Sequence, residues 1–213
     1  MRHRLIILDL DGTIYACEAL QAVLHNELVT FISAEMNIGY QSADERLSAL
    51  WAEGNDGNAN GAGEIRFLRE AGLDVGRWGD IVDGVRIGGF IHEDTILRAA
   101  LEHVRAACSI VVATNSPAKF TNAVLHQVNI ADLIDEVFCL GYRSADIVFP
   151  AEGKPSAELY FQISRRYRCP PSDCFVFGDR WEVDIKPAIA CKMHATLVAG
   201  PSDLTKKLWM LGQ

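Results

Sequence analysis

Leu5-Ile6-Ile7-Leu8-Asp9-Leu10-Asp11-Gly12-Thr13-Ile14 reads as a strand running into a turn. The uninterrupted apolar run predicts a strand covered on both faces, as in a parallel sheet between layers of helices. The run then meets two carboxylates one residue apart, followed by a glycine. Side chains two positions apart on a strand share a face, so Asp9 and Asp11 are expected on one side, with a turn starting at Asp11 and Gly12. Two acids at the carboxyl end of a buried strand are costly unless they bind a cation or do chemistry.

The 213 residues suffice for one core of ordinary size plus a smaller lobe, and 49% hydrophobic with 23% charged residues is a globular composition. A net charge of −8, with Lys and Arg scattered, argues against a nucleic-acid polymer as partner. An anionic substrate therefore needs local positive charge or a metal. No apolar run reaches the roughly 20 residues that span a bilayer, so no membrane association is expected. Asp9 and Asp11 break the apolar stretch behind the basic Met1–Arg4 start, which argues against a signal peptide. The six cysteines form no CxxC pair and no zinc spacing; reduced thiols and a cytoplasmic location are expected, with Cys169 and Cys174 unbridged across their Pro-Pro turn. The six histidines show no ligand spacing.

Beyond Ile14 the pattern turns helical. Apolar spacing predicts a helix over 18–36, closed by Asn37 and Gly39, a second after Ser42, and further helices at 64–71 and around 78–85. A small-residue loop, 54–63, interrupts them. Its Asp56–Gly61 part resembles half a calcium loop, but Phe67 stands at the twelfth position, where a carboxylate is required. From about residue 95 helix and strand alternate: helix 95–107, strand 109–113, a helix to Val128 capped by Ser116, strand 136–139, a helix from Ser156 to Tyr167, strand 174–177, helix 181–191 and strand 194–198. This alternation predicts an α/β fold with a parallel sheet flanked by helices, whose ligands bind beyond the carboxyl ends of the strands.

Polar residues collect at those ends: Asp9 and Asp11, then Thr114 and Asn115, then Lys154, then Gly178-Asp179-Arg180 with Glu182 and Asp184 close behind. Carboxylates, hydroxyl and amide donors and one ammonium are the parts of metal-assisted phosphoryl transfer. Oxygen ligands suit Mg²⁺, and a carboxylate can attack phosphorus. A phosphate-binding P-loop is excluded at Gly153-Lys154, because Val148 and Pro155 replace its first glycine and its hydroxyl.

Taken in order, Asp9-Leu10-Asp11-Gly12-Thr13, Thr114-Asn115, Lys154-Pro155 and Gly178-Asp179 through Asp184 resemble the four motifs of the haloacid dehalogenase-like (HAD) hydrolase superfamily. The resemblance implies a Rossmann-type parallel sheet flanked by helices as catalytic core (1–15 and 95–213), with an α-helical cap domain (16–94) inserted between motifs one and two. It implies that Asp9 is the nucleophile that becomes phosphorylated. Asp11 protonates the leaving alcohol and then deprotonates water. The Asp9 carboxylate, the Asp11 backbone carbonyl and Asp179 hold Mg²⁺, with Asp184 assisting, and Thr114, Asn115 and Lys154 hold the phosphoryl oxygens. The dehalogenases of the superfamily lack an acid at the position of Asp11 and need no metal, so the chain resembles the phosphatases and phosphomutases.

The implied activity is Mg²⁺-dependent hydrolysis of a small phosphorylated metabolite through an aspartyl-phosphate. A nucleoside monophosphate or a phosphoglycolate-like compound is the expected substrate, and Tyr15 resembles the tyrosine of the pyrimidine 5′-nucleotidase branch. A sugar-phosphate mutase and a non-catalytic binding protein are the alternatives. The cap offers Tyr40, Trp51, Phe67 and Trp78, and its Arg66, Arg69, Arg77 and Arg86 face either a second anionic group or solvent. Arg180 and Trp181 either line the site or face solvent and core, and Glu182 is a candidate metal supporter or simply a first-turn acid.

Overall fold

The computed structural model describes residues 4–53, 62–139 and 153–211. In chain order they form β1 (Arg4–Leu8), α1 (Glu18–Met36), α2 (Tyr40–Glu53), α3 (Ala62–Glu70), α4 (Val75–Gly84), α5 (Thr95–Arg105), β2 (Cys108–Thr114), α6 (Ala118–Gln127), β3 (Glu136–Cys139), α7 (Ala157–Arg166), β4 (Cys174–Gly178), α8 (Lys186–Ala190), β5 (His194–Leu197) and α9 (Pro201–Leu211). The loop 54–61, its calcium-like half and Val148 lie outside the described residues.

All strand pairings are parallel, in the order β3-β2-β1-β4-β5. β1 is central, and the register sets Ile6 opposite both Ile110 and Phe175. Alternate β1 residues enter different cores, which is why the run is apolar throughout. Ile6 and Leu8 face Leu97, Leu101, Phe120 and Leu204 of α5, α6 and α9. Leu5 and Ile7 face Leu159, Ile163 and Ala188 of α7 and α8. Each of these buried leucine, isoleucine and phenylalanine side chains contributes roughly 1.5–3 kcal/mol. The chain winds away from β1 in one direction to β3 and then crosses to β4 on the other side. That reversal opens a crevice between the ends of β1 and β4.

Helices α1–α4 form the insertion between β1 and α5, and their apolar faces continue the Ile6/Leu8 core through Leu20, Leu28, Phe31, Leu68 and Trp78. Helix ends follow local chemistry. Asn37 closes α1 in the left-handed conformation (φ 50°). Asp74 caps α4, accepting from the Arg77 N–H at 3.1 Å, and Asp94 caps α5, accepting from Ile96 and Leu97 at 3.1 and 2.9 Å.

Several elements depart from expectation. β1 ends at Leu8, so Asp9 stands just past the strand, although its N–H still donates to the Phe177 carbonyl at 2.9 Å. α2 begins at Tyr40, ahead of Ser42. The helix expected over 181–191 is a π-helical turn, Trp181–Ile185, followed by the short α8. α9 was not anticipated. Ser116 does not cap α6: Pro117 takes that position without a side-chain bond, and the Phe120 N–H is accepted by Asp83 Oδ1 of α4 at 2.9 Å. All six cysteines are free thiols. Among the described residues no helix is long and apolar enough to cross a membrane.

Candidate active site

The ends of β1, β2 and β4 and the segment before α7 bring the motif residues together at the crevice. Asp9 is 3% exposed. One carboxylate oxygen accepts from Thr13 Oγ1 at 3.1 Å and the other from the Lys154 ammonium. Lys154 also donates to Asp184 Oδ1 at 2.7 Å. Burial alone would pull the Lys154 proton off, but Asp184 and Asp9 outweigh it and hold the ammonium above the ordinary lysine value.

Asn115 acts on Lys154 through the main chain. Its Oδ1 accepts from the Lys154 N–H and its Nδ2 donates to the Lys154 carbonyl, both at 2.9 Å. Thr114 Oγ1 accepts from the Ser116 N–H at 3.0 Å and lies 3.5 Å from Asp11 Oδ2.

Asp11 has hydrogen-bond partners of its own. The Tyr15 hydroxyl donates to its Oδ1, and the Ser116 hydroxyl to its Oδ2 at 2.7 Å. Tyr15 is brought round by a tight turn in which the Gly12 N–H donates to the Tyr15 carbonyl at 2.8 Å. Burial, then repulsion from Asp9, raises the Asp11 carboxyl above the ordinary range; the two hydroxyls and Arg180 pull it partly back. Neither Tyr15 nor Ser116 was assigned to Asp11 by sequence reasoning. The four-residue spacing around Gly12 was the available signal for Tyr15, while Ser116 read more naturally as a cap.

Asp9, Asp179 and Asp184 can each place a carboxylate oxygen within 4.8 Å of the others. Two glycines permit this. A Cβ on Gly12, which has φ +78°, would lie 2.1 Å from Asp179 Oδ2, and one on Gly178 would lie 2.4 Å from Asp184 Cβ. Burial, with repulsion from Asp9, pushes Asp179 up to about 7. Burial raises Asp184 as well, against the pull of Lys154. Asp179 Oδ1 is buried with no hydrogen-bond donor; Arg180 Nε is 3.6 Å away. An oxygen-only donor set with an orphaned carboxylate oxygen fits a hard divalent cation. Glu182 is outside this group, on the surface with Lys186 at 2.5 Å. Arg180 lines the crevice, whereas Trp181 is 53% exposed.

Over the Asp11 side opens a cavity of about 360 Å³, bounded at one end by Asp11, Tyr15, Asn115, Ser116 and Arg180. The arrangement supplies a buried carboxylate with an ammonium beside it, a cation-fitting acid cluster, and a second carboxyl that is held by two hydroxyls and lines a chamber.

Solved structures with the same fold include a HAD phosphatase from Thermococcus onnurineus, at 20% identity over 93% of this chain and 86% of that one, TM-score 0.60. A β-phosphoglucomutase from Clostridium difficile is 17% identical over 96% and 88%, TM-score 0.52. A magnesium-bound HAD-hydrolase, YfnB, from Bacillus subtilis is 16% identical over 93% and 89%, TM-score 0.56. A search of the curated proteins found no match. Residues 3–192 match the sequence model of the haloacid dehalogenase-like hydrolases, a span that takes in every motif gathered at the crevice. With the parallel sheet and its switch-point site in place, this chain belongs to the haloacid dehalogenase-like hydrolase family.

Proposed function

We propose that the protein is a Mg²⁺-dependent phosphatase that hydrolyses a small-molecule phosphate monoester through an aspartyl-phosphate on Asp9. The observation carrying this reading is the division of labour between two carboxylates. Asp9 is braced by Lys154 and Thr13 beside the acid cluster, and Asp11, with its raised carboxyl, is held by Tyr15 and Ser116 at the mouth of the cavity.

In the first step a bond forms between an Asp9 carboxylate oxygen and phosphorus, the bond from phosphorus to the alcohol oxygen breaks, and that oxygen takes the proton of Asp11. In the second step water attacks the aspartyl-phosphate, Asp11 accepts its proton, and inorganic phosphate and free Asp9 result. The raised Asp11 carboxyl favours the protonated form that the first step needs. Lys154 and Thr114 bind the phosphoryl oxygens, and Asn115 contributes by holding the Lys154 main chain. Asp9, Asp179 and the Asp11 carbonyl would hold Mg²⁺, with Asp184 alongside; the ion would supply charge neutralisation for the transferring group. A magnesium-bound relative of the same fold supports that assignment. Residues 16–94 act as the cap that closes over the site and excludes water.

The test is Mg²⁺-dependent release of inorganic phosphate from para-nitrophenyl phosphate and a panel of metabolite monoesters. Asp9→Asn is expected to abolish release with an unchanged circular dichroism spectrum. Turnover by Asp9→Asn, full activity in EDTA, or an isomerised sugar phosphate in place of free phosphate would overturn the reading.

A further inference from the structure

The cavity beside Asp11 has a chemistry of its own. Away from the carboxylates its wall is Leu24 and Leu28 of α1, Trp78 and Val82 of α4, and Phe120 of α6. Leu28, Trp78, Val82 and Phe120 are all buried, and Phe31 braces Trp78 with ring centroids 6.0 Å apart. The polar groups on this wall are Gln21, His25 and Glu64. The His25 imidazole is bonded to Asp44 at 2.9 Å.

Charge on the wall is hostile to an anion. Arg180 is the one arginine or lysine among the described lining residues, and it is engaged by carboxylates, with Asp179 at 3.6 Å. The cap arginines that the sequence left open for a second anion lie elsewhere. Arg77 pairs with Glu35, Arg66 with Glu70 at 3.8 Å, Arg69 is exposed, and Arg86 borders a separate surface depression. A carboxylate or second phosphate in this chamber would lose water and find Glu64, with Arg180 already engaged by carboxylates.

Resting on the phosphatase reading of the same site, we propose that the substrate's leaving alcohol carries an uncharged aromatic ring. That ring packs between α1 and α4 against Leu24, Leu28 and Trp78, and substrates bearing a second anion, such as phosphoglycolate, are rejected. An aromatic ring fits because it fills an apolar slot with one face to an indole and brings little conformational entropy to lose. The chamber's size is within the range of small-ligand sites.

Two inert phosphonates separate this inference from the activity. In Mg²⁺, calorimetry should show benzylphosphonate binding at least about tenfold more tightly than phosphonoacetate, which places a carboxylate where the ring would sit. Leu24→Arg should weaken the first, strengthen the second and bring their ratio to one or below. Gln21→Arg, at an exposed lining position, should shift the ratio in the same direction and keeps the test decisive if Leu24→Arg fails to fold. Equal or tighter binding of phosphonoacetate, no binding of either compound, or an unchanged ratio in both folded variants would overturn the inference. If the expected order holds but no monoester is hydrolysed, the phosphatase reading fails alone; if monoesters are hydrolysed and the order is reversed, this inference fails alone.

Discussion

The Asn115 side-chain amide closes a two-bond ring with the Lys154 main chain, accepting from its N–H and donating to its carbonyl, both at 2.9 Å. The ammonium bridging Asp9 and Asp184 is therefore aimed by a residue 39 positions away at the end of β2. Asn115→Ala should lose about 1–3 kcal/mol of stability, because two buried main-chain groups lose their partner. It should also lower kcat by roughly 100-fold through misplacement of Lys154. Urea unfolding and steady-state kinetics measure the two effects. A stable variant with full kcat would mean that the ring does not position the lysine.

The glycines at the strand ends should be intolerant of even one methyl group. The Cβ of Gly12→Ala would meet Asp179 Oδ2 at 2.1 Å at a backbone φ of +78°. The variant is expected to fold with weakened Mg²⁺ binding, read by calorimetry. In Gly178→Ala the clash at 2.4 Å is with Asp184 Cβ on the buried β4 edge of the site, so a drop in melting temperature should accompany the loss of binding.

The acid cluster predicts an unusual pH dependence for the metal-free protein. Asp179 rises from its ordinary 3.8 to about 7 on folding, and Asp184 and Asp11 rise as well. For Asp179, between those values the folded state binds more protons than the unfolded one, so its contribution to stability is full below the unfolded value and disappears as pH rises through about 7; the raised Asp184 and Asp11 act in the same direction. Melting temperature in EDTA should fall from about pH 5 to about pH 8, and added Mg²⁺ should raise it most at the upper end, where the ligands are ionised. A metal-free melting temperature that climbs over this window would contradict the clustered arrangement.

Tyr15 and Ser116 each donate to Asp11 and favour its ionised form. Tyr15→Phe and Ser116→Ala should therefore raise the Asp11 carboxyl further and move the alkaline limb of the kcat/KM profile, where the general acid loses its proton, to higher pH, with the double variant displaced further. A loss of activity with unmoved limbs would assign the two hydroxyls to substrate contact instead.

Asp83 of α4 accepts the Phe120 N–H at 2.9 Å and so joins the inserted helices to the first turn of α6. Asp83→Ala should cost about 1 kcal/mol, as loss of a helix cap does. It should also raise KM more than it lowers kcat, since the contact tethers the cavity wall without touching the carboxylates. Thermal unfolding and the KM-against-kcat split test this.

The amino-acid sequence by itself determined the sheet, the helical insertion and the polar residues that meet at the strand ends. Those features are written in local periodicity and in polar residues placed after apolar runs, and such signals need no knowledge of distant neighbours. Tertiary structure decided the relationships between those residues. Ser116 read as a cap because serine before a helix usually is one, but the fold gives its hydroxyl to Asp11 and supplies the α6 acceptor from Asp83. Asn115 reached the Lys154 backbone, and the arginines of the segment between β1 and α5 turned to surface carboxylates or solvent, leaving an apolar chamber. Hydrogen bonds and burial between segments dozens of residues apart depend on packing and on how close two backbones come, as Gly12 and Asp179 do, and no local pattern encodes that distance.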